Sequence, residues 1–556
     1  QGDEGIGGRG DAGIGGRGDE GLGARSKRCS AVSVLHSLLS TLHSPFSALH
    51  SPLSTLCSPF SILLAAGVFY FSAWLPPTLV GGLVATALTL VSGLVLAALI
   101  VLRLDLGLAL VAATAPFYLY PRPLFGKAFS MVEITTLLCL LSWGLRQLTT
   151  QLTTQLTNQP PNQPPNQLTN QPTNQPFSSL DLAALFFVLV SVASFFVAEY
   201  RHVALRELRL VVLEPALFYL MLRTSRLDGK ALWRVVDFFV LGAVAVALIG
   251  LVQYGLGVNI ITAEEGFRRL RSVYGSPNSV GLYLGRVLPV LVAVTLFGAS
   301  RGRRVAYGLA VVPLGLAVLL SFSKGALVLG VPLSLLALGV LAGTLAKVAS
   351  SSGNGVIPGR RSHLCPEGCS RTFARVALVM VVAAAVAAIP LLRTPRFASL
   401  LDTQSGTTFF RLQLWRASWM MFREHLWLGV GPDNFLYHYR SRYILPAAWQ
   451  EPDISQAHNI LLDYATRMGF AGLAAGAWLQ VAFWRLALPL RRLTDADRRA
   501  LALGLMGSMV NFLAHGLVDA SYFLIDLAFA FFLTLGVIGW LAANDNTTSG
   551  AITAGE

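Results

Sequence analysis

About fourteen apolar stretches, each close to the length of a bilayer crossing, constrain this chain more than any other feature. They centre on residues 58–75, 79–102, 104–118, 128–145, 180–198, 209–222, 233–256, 279–299, 305–322, 325–345, 374–392, 468–484, 499–516 and 522–542. A helix needs ~20 such residues to cross the hydrocarbon core. Inside lipid the backbone must satisfy its own hydrogen bonds, which continuous apolar runs do as helices. The expected fold is therefore an all-α polytopic membrane protein with about 12–14 transmembrane helices. Only 13% of residues are charged, against ~25% in soluble proteins, which excludes a soluble globular enzyme. The formal net charge of +14 belongs in loops, because charge inside lipid is costly.

Two segments have no core to fold around. Residues 1–57 repeat Gly-Arg-Gly-Asp and then Leu-His-Ser units, and read as low-complexity sequence, disordered or a gene-model artefact. Residues 146–179 carry Gln-Leu-Thr-Thr and Asn-Gln-Pro-Pro repeats and read as a disordered cytoplasmic linker. The remaining divisions are N-terminal transmembrane helices at 58–145, a transmembrane core at 180–392, a large loop at 393–467, C-terminal transmembrane helices at 468–542 and a tail at 543–556. Five cysteines without metal-finger spacing give no disulfide framework; Cys365 and Cys369 with His363 lack a fourth ligand nearby. No phosphate-binding loop occurs either, so the chain shows no means of hydrolysing a nucleotide; no metal, cofactor or nucleic-acid partner is expected.

Basic residues in short loops set orientation. Arg223, Arg226 and Lys230, then Arg301, Arg303 and Arg304, then Lys347, Arg360, Arg361 and Arg371, then Arg491, Arg492, Arg498 and Arg499 fall on one side if the spans alternate. Both termini are then cytoplasmic and the 393–467 loop lies outside. A loop of that length is usually functional.

That loop contains Leu412, Trp415, Trp419 and Phe422 at helical spacing, an aromatic face suited to the bilayer interface, with Arg411 one turn before Trp415. Further on, His458 stands where a polar stretch meets an apolar helix. A helix N-terminus disfavours imidazolium, and a neutral ring can accept a hydroxyl proton; the competing reading is a structural histidine. A second outer loop has Arg268, Arg269 and Arg271 within four residues, followed by Tyr274-Gly275-Ser276-Pro277-Asn278. Arginine forks suit phosphate oxygens, so a diphosphate is the natural partner; the plain alternative is a loop paired with Glu264 and Glu265. Asn278 is placed to cap the next helix. Glu133, Glu214, Arg286 and Asp526 lie in the outer halves of their spans, which suggests one cavity for an anionic head, with Arg286 a further cation.

These residues resemble the O-antigen ligase and O-antigen polymerase superfamily of bacterial membrane glycosyltransferases. The resemblance rests on Arg269 through Asn278, the Ser321-Phe322-Ser323-Lys324-Gly325 turn, Arg411 with Trp415, Trp427 through Phe435, Ala457-His458-Asn459 and Met468 through Leu473. It implies a GT-C-like enzyme of polysaccharide biosynthesis in the bacterial inner membrane, its ligase-related region about 305–475. It also implies transfer of a glycan from undecaprenyl diphosphate to a sugar hydroxyl on a glycan or lipid acceptor. By position, His458 acts on the acceptor as base or orienter, Arg411 holds the diphosphate, and Arg269, with Arg271 close behind, and Lys324 assist; Asn278, Asn459 and Trp415 support them. Ligase and polymerase remain open alternatives. A transporter or flippase of an anionic lipid-linked substrate is the competing class, although no paired internal repeat is legible.

Overall fold

The computed structural model describes residues 58–75, 79–124, 126–156, 177–262, 266–351 and 402–553. The chain divides into two units, 1–61 and 62–556; of the first, only residues 58–61 are described. The expected span at 374–392 and the low-complexity start lie outside the described residues, as do Glu264, Glu265, His363, Cys365 and Cys369.

The helices run in chain order as α1 (Pro59–Phe71), α2 (Leu79–Leu102), α3 (Leu104–Thr114), α4 (Met131–Leu156), α5 (Ser179–Val197), α6 (Arg201–Glu207), α7 (Glu214–Thr224), α8 (Gly229–Gly255), α9 (Pro277–Phe297), α10 (Arg301–Ser321), α11 (Val331–Ser351), α12 (Gly406–Glu424), α13 (Phe435–His438), α14 (Ile460–Leu490), α15 (Ala496–Gly516) and α16 (Ile525–Thr553). Two small antiparallel hairpins complete the described residues: β1 (Arg122–Leu124) with β2 (Lys127–Phe129), and β3 (Ile260–Thr262) with β4 (Arg268–Leu270). The protein is an all-α polytopic membrane protein.

Among the described residues, eight helices are long and apolar enough to cross a membrane: α2, α5, α8, α9, α10, α11, α14 and α16. The other expected spans fall on shorter helices, α1 and α3, on the more polar α4 and α15, and on 209–222, where a π-helical stretch (Leu208–Leu213) leads into α7. Burial separates centre from periphery. In α16 and α9, 94% and 83% of the apolar window is covered by protein, against 22% in α2. The uncovered side of α2 carries Leu83, Leu90, Val91 and Leu94, a surface suited to lipid. Close helix approach uses glycine: a Cβ on Gly242 of α8 would strike the Ala113 backbone of α3.

Two expected boundaries move. Helix α4 continues to Leu156, into the expected linker, because residues 145–156 hold neither Gly nor Pro and the first proline comes at Pro160. Helix α16 likewise runs through the expected tail to Thr553.

The 402–459 segment has its own small core. Leu414, Ala417 and Met421, spaced to share one face of α12, pack on Val430, Phe435, Tyr439, Tyr443 and Ala457. Of the face expected at the bilayer interface, Trp419 is exposed while Phe422 is buried, and Leu414, Ala417 and Met421 face inward because the segment folds back on α12. Residues 426–431 then lie along α14. The Val430 and Gly431 N–H groups donate to Thr466 and Arg467 carbonyls, while those of Phe470 and Ala471 donate to Leu426 and Trp427 carbonyls. This exchange is possible because α14 breaks at Gly469, where φ is 64° and ψ −155°, a region open essentially to glycine alone. A Cβ there would also collide with the Trp427 carbonyl. Gly469→Ala is expected to cost about 1–3 kcal/mol or more, read as a lower thermal unfolding midpoint in detergent; an unchanged midpoint contradicts the packing described.

Candidate functional site

His458 sits in the left-handed backbone region, φ 49°, an uncommon conformation for a non-glycine residue. It is held there from both sides. The Ala457 N–H donates to Asp463 Oδ1 at 2.8 Å. Asn459 caps α14, its Oδ1 accepting from the N–H groups of Leu461 and Leu462, and its Nδ2 donates to the Leu517 carbonyl at 2.9 Å. The clamp brings His458 against the turn between α15 and α16, where His458 Nδ1 lies 2.7 Å from Asp519 Oδ1. The other oxygen of Asp519 is 3.7 Å from Arg411 Nη2 on α12.

Asp519 is almost fully buried, whereas the His458 side chain keeps a third of its surface open. Burial alone would push the imidazole pKa down, but the Asp519 carboxylate outweighs it through charge and hydrogen bond, so the ring titrates above its ordinary value. Burial likewise opposes ionisation of Asp519, but His458 and then Arg411 hold that carboxyl far below the usual range. This revises the expectation drawn from the helix terminus. The imidazolium is stabilised here, because a full carboxylate charge at hydrogen-bond distance exceeds a partial helix dipole. With Nδ1 committed to Asp519, Nε2 is the nitrogen left for a substrate hydroxyl.

A basic flank approaches the same helix. Lys324 Nζ donates to Thr407 Oγ1 at 3.2 Å, one turn before Arg411 on α12. Lys324 follows the left-handed Phe322 that ends α10, and Arg269 Nε of β4 donates to the Ser321 carbonyl of that turn at 3.0 Å. Arg269 Nη2 also donates to Asn278 Oδ1 at 2.8 Å. Thus Arg269 reaches the turn that carries Lys324, Lys324 reaches α12 one turn before Arg411, and Arg411 and His458 meet at Asp519.

Other expected residues are placed differently. Arg271 turns away, its Nε donating to Asn259 Oδ1 at 2.8 Å. Asn278 does not cap α9: Ser276 does, accepting from the Asn278 N–H, because Pro277 occupies the first helical position. Trp415 lies one turn beyond Arg411, and its buried Nε1 has no hydrogen-bond partner among the described residues. Arg286 is only 2% exposed on the central helix α9. It donates to the Leu527 and Ser521 carbonyls and stacks on Phe512, so it fastens the Asp519-bearing turn rather than reaching a diphosphate.

The expected single cavity is also replaced by separate pairings. Glu133 accepts from Arg209, which also approaches Glu214, and Asp526 accepts from Tyr274. All three carboxylates are buried between helices. Among the described residues, no group of three or more His, Cys, Asp or Glu side chains is arranged to hold a metal.

With this geometry in view, comparison with known families bears on one stretch of the chain. Residues 309–477 match the O-Antigen ligase family model. The match supports the motif resemblance to the O-antigen ligase superfamily over that stretch. No curated protein matches the chain. Lys324, Arg411, Trp415, His458 and Asn459 lie within the matched stretch, whereas Arg269, Asn278 and Asp519 lie outside it and join it through space.

Sequence reasoning missed Asp519 and a second buried network. Arg467 Nε donates to both oxygens of Glu207 at 3.2 Å, its Nη1 to Asp463 Oδ1 at 3.2 Å, and its Nη2 to the Ser455 carbonyl at 3.2 Å. The legible signal was the i, i+4 pair Asp463 and Arg467 within an apolar run. For Asp519 it was an acid in the eight-residue junction 517–524 between α15 and α16.

Proposed function

We propose that the protein is a membrane glycosyltransferase of the O-antigen ligase or polymerase type, moving a glycan from undecaprenyl diphosphate to a sugar hydroxyl on a glycan or lipid acceptor. In this reading the 402–459 segment faces the outside of a bacterial inner membrane, both termini are cytoplasmic, and no metal or cofactor takes part. The match of residues 309–477 to the O-Antigen ligase family model supports the reaction class, and the basic loops support the orientation. The observation that carries the reading is the meeting of Arg411, Asp519 and His458, with Lys324 one helical turn away.

The acceptor oxygen bonds to the anomeric carbon while the bond from that carbon to the phosphate oxygen breaks, its electron pair leaving on the diphosphate. Arg411, Lys324 and Arg269 supply positive charge where that negative charge develops. His458 Nε2 takes the acceptor proton, and Asp519 stabilises the imidazolium so formed, as the carboxylate does in a hydrolase triad. The proton then passes to solvent through the open edge of the ring.

The test is reconstitution with an undecaprenyl-diphosphate glycan and candidate acceptors, following undecaprenyl diphosphate release. Arg411→Ala is expected to lower kcat/KM for the donor by about 10²–10³-fold. Release unaffected by Arg411→Ala or His458→Ala sinks the site assignment, and substrate movement without bond cleavage points to a flippase instead.

A further inference from the structure

We propose that the pocket at the far end of α12 is a distal saccharide subsite, binding a sugar of the glycan chain several residues away from the reacting bond. This rests on the transferase reading above. The pocket has a volume of about 360 Å³ and is lined by Glu199, Glu424, His425, Trp427, His438 and Arg442, among others. That volume falls in the ~300–1,000 Å³ range of small-molecule sites.

His438 points to an occupant. It is 5% exposed, lines the pocket, and neither ring nitrogen has a hydrogen-bond partner among the described residues, Nε2 standing 3.7 Å from the Glu199 carboxylate, beyond hydrogen-bond distance. Buried polar atoms are nearly always paired, so this ring is arranged for a group brought by a ligand. Burial lowers its pKa against the opposing pull of Glu199. A neutral imidazole presents one donor and one acceptor, the pattern a hydroxyl matches in both directions.

The surrounding charges argue against an anionic headgroup. Glu199 and Glu424 outnumber Arg442, and Arg442 Nη2 already donates to Glu199 at 3.4 Å. Tyr443 donates to Glu424 at 2.6 Å, fixing one carboxylate as an acceptor for hydroxyls. The Trp427 side chain is three-quarters exposed at the pocket, offering an apolar ring beside these polar groups. Carboxylates, a neutral imidazole and an open indole together suit a sugar ring.

The position explains why such a site is useful. Glu424 lies thirteen residues beyond Arg411 on the same helix, a separation of ~20 Å at 1.5 Å per residue. A sugar bound there cannot be the one reacting. Binding energy from remote parts of a substrate can still hold the reacting end in place.

Transfer is measured with the full-length protein in nanodiscs, using donors and acceptors with one or several repeat units. Binding is measured separately with end-labelled oligosaccharides released by mild acid from the organism's own envelope polysaccharide. Trp427→Ala and Glu199→Gln, both at exposed positions, are expected to weaken oligosaccharide binding about tenfold or more. They should raise KM for the long glycan and leave kinetics on single-repeat substrates unchanged. Whether the donor or the acceptor KM responds identifies the chain that occupies the pocket. His458→Ala should abolish transfer while binding the oligosaccharide normally. A wild-type protein that binds no oligosaccharide, or pocket variants that bind it equally well, overturns the proposal, as does displacement of the label by phosphatidylglycerol vesicles but not by unlabelled sugar. A wild-type protein that binds oligosaccharide through these residues but transfers nothing leaves the subsite standing and removes the transferase reading.

Discussion

Asp519→Asn is expected to lower kcat by about 10²–10⁴-fold, the range associated with loss of effective general acid–base catalysis. The amide keeps nearly the same shape but removes the charge that offsets burial of His458, and it can present an N–H where the ring needs an acceptor. The imidazole then turns to the wrong tautomer, and the imidazolium formed on proton uptake loses its partner. The sign of the pH effect follows. In the wild type Asp519 raises the His458 pKa, so the neutral base accumulates only as pH climbs past that raised value. Without the charge, burial dominates and the acidic limb of the pH–rate profile moves to lower pH. A variant with wild-type kcat, or with its limb displaced upward, removes His458 from the base role. The same pair contributes stability over a bounded window. The share from the raised His458 is complete below the unfolded histidine pKa and fades as pH rises through the folded value. The share from the depressed Asp519 is present above the unfolded carboxylate pKa and fades as pH falls through the folded one.

Arg467→Met is expected to destabilise the protein by about 3–5 kcal/mol, because removing one partner leaves buried carboxylates uncompensated. Glu207 and Asp463 are both nearly inaccessible, and the Arg467 guanidinium also packs over the Phe523 ring at 4.5 Å. The loss should extend to activity. Arg467 holds the Ser455 carbonyl and, through Asp463, the Ala457 N–H, so both ends of the stretch leading to His458 depend on it. The measurements are the thermal unfolding midpoint in detergent and kcat of the fraction that remains folded. A midpoint within a degree of wild type shows that the network is not fully desolvated. A full kcat at reduced stability separates folding from placement of His458.

The contrast between Arg269, Arg271 and Arg286 shows how far sequence reasoning carries. All three are arginines near the same expected face, and pattern alone cannot rank their targets. The Ser321 carbonyl and Asn278 hold Arg269 at the turn that carries Lys324, while Asn259, itself in a left-handed turn, captures Arg271 just beyond β4. Arg286 lies on the most enclosed part of α9, where burial against α15 and α16 obliges its guanidinium to take backbone carbonyls. The inward face of α12 was not legible for a related reason. Helical spacing shows which residues share a face, but which face is covered depends on the loop that folds back over it.

The sequence by itself determined that this chain crosses a membrane many times as helices, since long uncharged runs have no other way to satisfy their backbones in lipid. It also showed short motifs around Lys324, Arg411 and His458 that resemble one family's pattern, because the residues within each motif stay together in chain order. Only the tertiary structure decided that Asp519, sixty-one residues after His458, completes their charge arrangement. The reason is physical: hydrogen bonds and ion pairs act over a few ångströms. The positions that share them are set by how α12, α14 and the α15–α16 turn meet, not by their distance along the chain.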